Sequence, residues 1–154
     1  MAEPMTVSNE REIQPMQLSL EQLSGLKTQH ENEIQELGRQ MESLYGAKNR
    51  YNTAKSVLTD ISSCPEGNTL MVPLNSSLYV PGKIADPTKV MVELGTGYFC
   101  EKEVPDAVAL IERKNQLINS SIESVESMLN KKKKTLDQLV QIMQYKIGQL
   151  QGGN

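Results

Sequence analysis

The 154-residue sequence has no tryptophan, one phenylalanine and five tyrosines, so aromatics make up only 4% of it. Compact domains draw much of their buried area from large rings, and this chain must find its core elsewhere. It also lacks a charge excess: 16 Lys and Arg stand against 19 Asp and Glu, a net charge of −3. A nucleic-acid binder ordinarily carries a basic surplus, so no nucleic-acid partner is expected. No apolar run approaches the roughly 18 residues of a membrane span, so no membrane partner is expected. The opening Met1-Ala2-Glu3-Pro4 has neither the basic nor the apolar segment of a secretory signal. The cytoplasm is therefore the expected compartment, with the nucleus as a second, and Cys64 and Cys100 are expected to be free thiols. These two cysteines and the single histidine, His30, fit no metal-ligand spacing. Gly95-Thr96-Gly97 lacks the third glycine of a dinucleotide loop, and there is no P-loop. No catalytic residue, metal or cofactor is expected, and an enzyme is the least supported class.

Two long apolar repeats are present instead. Stepping by three and four from Ile13 gives Met16, Leu20, Leu23, Lys27, His30, Ile34, Leu37, Met41, Leu44, Lys48, Tyr51, Lys55 and Leu58. A sustained 3.5-residue step keeps one seam facing a partner helix. Pro15 would disrupt a helix interior, so the regular helix is expected over 19–61, after a flexible segment 1–18. Ser19 and Gln22 have capping-box spacing, and Leu18 and Leu23 that of a hydrophobic staple. The same stepping near the other end gives Val104, Val108, Ile111, Asn115, Ile118, Ile122, Val125, Leu129, Lys132, Leu136, Leu139, Met143, Lys146 and Leu150. It predicts a second helix over 105–150, opened by Pro105 and Asp106, with 151–154 flexible. Residues that fill both seams pair simplest as an intramolecular antiparallel coiled coil.

Between the helices the period changes to two. Leu70, Val72 and Leu74, then Leu78 and Val80, then Val90, Val92 and Leu94, then Tyr98-Phe99-Cys100 read as four short strands. Asn75-Ser76 and Gly95-Thr96-Gly97 are turn chemistries, and Pro81-Gly82 and Asp86-Pro87 break the connection between the pairs. The expected fold class is α+β, one domain over 1–154: a long antiparallel two-helix coiled coil with two tandem β-hairpins inserted at 67–103. A lone hairpin is marginal in water, and strand edges seek partners. Leu70, Val72, Leu74, Leu78, Val80, Val90, Val92, Leu94 and Tyr98 are therefore the candidate assembly residues.

The stretch Leu70-Met71-Val72-Pro73-Leu74-Asn75-Ser76-Ser77-Leu78-Tyr79-Val80-Pro81-Gly82-Lys83 resembles the signature segment of α-class prefoldin subunits, as does Val92-Glu93-Leu94-Gly95-Thr96-Gly97-Tyr98-Phe99-Cys100-Glu101-Lys102. The resemblance runs through helix, double hairpin and helix in order. It implies a hetero-hexamer in which this chain joins one further α-type and four β-type subunits. The hairpins would build a double β-barrel body from which coiled-coil tentacles hang. It also implies ATP-independent holding of unfolded proteins such as actin and tubulin, and their delivery to the cytosolic chaperonin.

Candidate client residues lie at the outer ends of the two helices: Met16, Leu18 and Leu20 on the first, and Leu139, Met143, Ile147 and Leu150 on the second. Unbranched methionines suit surfaces that repack around varied partners. His30 reads as a polar residue tolerated in the seam. Lys131-Lys132-Lys133-Lys134 reads as a solvated helix surface, because four successive helical residues point in four directions. The alternative is a structural or tethering coiled coil, or a nuclear adaptor, that binds no client.

Overall fold

A computed structural model describes residues 15–152. A 3-10 turn (Pro15–Gln17) precedes helix α1 (Leu20–Ser62). Strands β1 (Thr69–Pro73), β2 (Tyr79–Lys83), β3 (Lys89–Gly95) and β4 (Tyr98–Glu103) follow, and helix α2 (Val104–Gln151) closes the chain. This is the expected α+β order of two long helices with two hairpins between them. Ile13, the first position of the stepped seam, lies outside the described residues.

Helix α1 starts where its capping chemistry dictates. The Ser19 N–H donates to Gln22 Oε1 at 2.9 Å, and the Gln22 N–H donates to Ser19 Oγ at 3.2 Å. Two of the donors that a helix start leaves orphaned are thus satisfied reciprocally. At its other end the Ser62 and Ser63 hydroxyls donate to the Thr59 and Asp60 carbonyls at 2.7 and 2.8 Å. Helix α2 carries Pro105 in its first turn, where the missing N–H costs no intrahelical bond.

The described residues divide into two compact units, one joining 15–40 to 125–152 and the other running from Met41 to Ser124. The helices run antiparallel within each. In the first, the Lys146 ammonium donates to the Leu18 carbonyl, and Lys132 Nζ lies 2.6 Å from Glu33 Oε2. In the second, Asn115 Nδ2 donates to Asn52 Oδ1 at 2.9 Å and Lys55 Nζ to Glu112 Oε1 at 2.7 Å. Every stepped seam position among the described residues is buried or half-buried except Met16 and Leu150. Three of the seam lysines are accommodated because the stem covers apolar surface while the ammonium reaches a carboxylate at the rim. Lys27 meets Glu31 at 2.9 Å, and Lys55 and Lys132 meet Glu112 and Glu33 as above.

The hairpins form two separate two-stranded antiparallel sheets, β1–β2 and β3–β4. Pro81-Gly82, expected to break the chain after the second strand, lies inside β2, with Met71 opposite Pro81 and Leu70 opposite Gly82. The register explains why. The Ile84 N–H bonds the Asn68 carbonyl and the Leu74 N–H bonds the Leu78 carbonyl. Bonded pairs alternate along an antiparallel ladder, so Pro73 and Pro81 fall on the non-bonded rows, where an absent N–H costs nothing. Gly82 also serves a close approach, since a Cβ there would sit 3.0 Å from Val72 Cγ2.

Leu74 and Leu78 lie in the β1–β2 loop rather than in strands. Asn75 Oδ1 accepts from the Ser77 and Leu78 N–H groups at 2.9 and 2.8 Å and widens the turn. The β3–β4 turn has positive φ at Thr96 (40°) and Gly97 (81°), as a type I′ connection needs. A bulge between Glu93 and Gly95 leaves Leu94 outside the regular pairing, so the alternation ends at Glu93. Between the hairpins, Asp86 accepts from the Thr88 hydroxyl and N–H, which hold its carboxyl below the usual range.

Candidate assembly and client-binding surfaces

The Met41–Ser124 unit carries the hairpin surface. On β1–β2 the even-numbered Leu70, Val72 and Val80 share one face, and the odd-numbered Met71, Pro73, Tyr79 and Pro81 share the other. No side chain of this hairpin is buried. Leu74 and Leu78 are exposed beside the turn. On β3–β4, Val90, Val92, Cys100 and Lys102 are half-buried on one face, while Met91 and Phe99 are exposed on the other. Leu94 is exposed at the bulge, and Tyr98 is 76% exposed. All nine assembly candidates therefore fall on the two hairpins or their turns, seven exposed and two half-buried. Val90, Val92 and their strand neighbours also wall a groove of about 440 Å³ against Tyr51, Val57, Leu58, Leu110 and Ile111. Beside it, Lys114 Nζ stands 6.0 Å from the centre of the Tyr51 ring. On the strand rim Lys89 meets Glu101 at 3.2 Å, which raises the Lys89 pKa.

Four residues outside the candidate set belong to this surface: Met71, Tyr79, Met91 and Phe99. Strict alternation assigns them to a solvent face. The signal against that was their own chemistry, because a strand apolar on both faces is one that becomes covered on both.

The other unit carries the helix-end surface. Met16 is 57% exposed, Leu150 72% and Ile147 42%, whereas Leu18, Leu20 and Met143 are half-buried. Leu139 is only 4% exposed, which removes it as an accessible contact. It occupies a seam position, and the fully buried Leu23 lies in the same unit. Met16, Leu20, Lys146, Gln149 and Leu150 line an open groove of about 590 Å³. Tyr145, 55% exposed and not among the candidates, accepts a hydrogen bond from Gln149 Nε2 at 2.7 Å. Its place off the seam, one residue before Lys146, concealed it.

A polar layer lies in the same unit. Lys132 and Gln29 both hydrogen-bond Glu33 and lower its pKa, with His30 adding a smaller favourable field. His30 Nδ1 is 3.4 Å from Glu33 Oε2. Among the described residues no three His, Cys, Asp or Glu side chains gather as metal ligands. The lysine run divides: Lys132 turns into the seam, and Lys131, Lys133 and Lys134 are exposed.

Known proteins share this arrangement. The prefoldin subunit family model matches residues 30–149. Prefoldin subunit 5 of Arabidopsis thaliana is 35% identical, over 86% of this chain and 88% of its own. Probable prefoldin subunit 5 of Dictyostelium discoideum is 37% identical over 93% and 89%, and prefoldin subunit 5 of Homo sapiens 34% over 87% of each. A chain of filamentous prefoldin from Methanocaldococcus jannaschii superposes with a TM-score of 0.68, covering 76% of this chain and 97% of its own. At 20% identity that likeness is one of fold. The chain belongs to the prefoldin family, whose subunits act as chaperones rather than enzymes.

Proposed function

We propose that this chain is an α-type subunit of a hetero-hexameric, ATP-independent holding chaperone, with one further α-type and four β-type partners. Its hairpins dock it into the shared body. Its helix ends hold apolar segments of unfolded proteins, among them actin and tubulin, for transfer to the cytosolic chaperonin, and the cytoplasm is its place of work. The observation that carries this reading is the pair of exposed apolar surfaces. The hairpins leave apolar side chains open on both faces of β1–β2 and, at Met91 and Phe99, on the outer face of β3–β4, as parts of a larger sheet would. Met16, Ile147 and Leu150 stay open where the seam ends. Each contributes up to roughly 1.5–3 kcal/mol if a client buries it fully. One such end holds weakly, and several ends on one body add by avidity. Weak contacts also release a client without a nucleotide switch. The experiment removes residues 1–22 and 143–154 from this subunit in an otherwise complete assembly. Protection of an unfolded client from aggregation should fall while the oligomer persists. Undiminished protection would make this subunit architectural, the tethering alternative.

A further inference from the structure

The groove at the helix ends holds a cation that the seam does not use. Among the described residues its lining is three apolar side chains (Met16, Leu20 and Leu150), the amide of Gln149 and the ammonium of Lys146, with no carboxylate. Of the seam lysines, Lys27, Lys55 and Lys132 each reach a glutamate within 2.6–2.9 Å, and Lys48 has no ion pair among the described residues but lies in the other unit. Lys146 instead donates to the neutral Leu18 carbonyl. Among the described residues no carboxylate lies within ion-pair distance of it. An ammonium has three donors, so the bond to Leu18 leaves capacity for an incoming acceptor. The described residues of the helix ends supply none: in 15–26 and 138–152 the only charged side chains are Glu21, which is exposed, and Lys146 itself.

We propose that this groove takes an extended apolar client segment bearing a carboxylate, with Lys146 as the ionic partner. This rests on the holding function above and adds a selection rule to it. Apolar atoms of the client cover Met16, Leu20 and Leu150, and an Asp or Glu side chain meets the half-buried ammonium. A basic segment of equal apolar content meets like charge and is disfavoured.

The test uses the complete hetero-oligomer and three fluorescent peptides with one Leu- and Phe-rich core, differing only by Asp, Asn or Lys at one central position. At low salt the Asp peptide should bind about fivefold tighter than the Asn peptide, the size of a part-exposed ion pair. The Lys peptide should bind weakest. The Asp advantage should shrink as the screening length falls from about 30 Å at 0.01 M to about 8 Å at 0.15 M. In the Lys146→Gln assembly, which keeps a donor for the Leu18 carbonyl, the Asp and Asn peptides should bind alike. Equal Asp and Asn binding to the intact assembly overturns the proposal, as does an Asp preference that survives Lys146→Gln. A preference that emerges only after deletion of residues 1–14 also overturns it, because the chain's own Glu10 and Glu12 then occupy the site. Failure of all three peptides to bind would instead count against the holding function.

Discussion

In the Met41–Ser124 unit the first hairpin pairs its two strands yet buries none of its side chains. In the unit made of the helix ends, Leu23 and Leu139 are almost sealed while Met16 and Leu150 are open. Exposure has a different cause in each. Both hairpins are two-stranded sheets, and β1–β2 is apolar on both faces, so it lacks the remainder of a sheet and a second layer. The helix ends have a partner helix along the seam, and the seam itself opens at its last described positions, Met16 and Leu150. The first kind of exposure calls for a permanent, shaped partner. The second suits contacts that form and break with varied chains. Under the proposed function, assembly is written into strand alternation in one place and holding into the heptad ending in the other.

The sharpest way to break that contrast is a charge at the inward face of β3. Val92→Asp should abolish assembly, since an unpaired carboxylate in a covered sheet costs on the order of 3–5 kcal/mol. Helical circular dichroism should persist, because the seam residues are untouched, while size exclusion reports smaller species. An assembly of normal size would place Val92 outside the interface.

The helices and strands were legible for physical reasons that the particular residues display. A 3.5-residue step survives the interruptions at Lys27, His30, Lys48 and Lys55 because long polar side chains sit at the seam rim. The Ser19–Gln22 box was readable because it is purely local. What escaped depended on register. Pro81 looks like a break until the ladder puts it on a non-bonded row, and Leu94 looks like a regularly paired strand residue until the bulge takes it out of the register. At the helix ends, spacing placed Leu139 and Leu150 in one seam, yet only three-dimensional packing separates a sealed residue from an open one. Lys146 was readable as a seam position but not as a cation that meets a carbonyl instead of a glutamate.

Within the helix-end unit, Leu23→Ala should lower stability by about 2–5 kcal/mol, the range for deleting a fully buried leucine. Thermal unfolding followed at 222 nm checks this, and Met16→Ala in parallel should shift the midpoint far less. Comparable losses would mean that the two residues are equally covered and that the end is not open.

The smallest effect concerns the polar layer. The Glu33 pKa is lowered by Lys132 and Gln29. Its contribution is therefore present above the ordinary carboxylate pKa and is lost as pH falls through the lowered folded value. The Glu33→Gln chain should lose less stability on acidification across that window than the unmodified chain. Because Glu33 is solvent-accessible, the difference should be modest and weaken with salt. Parallel pH profiles of the melting midpoint would show that the layer has no such role.

Hydrogen exchange on the complete assembly, with and without an unfolded client, tests the division of labour most directly. Exchange slows where backbone bonds become covered or less often opened. The account predicts that residues 69–103 are protected by assembly and unchanged by client. Residues 18–26 and 139–151 should be slowed by client alone. Client protection in the hairpins, with none at the helix ends, would contradict it.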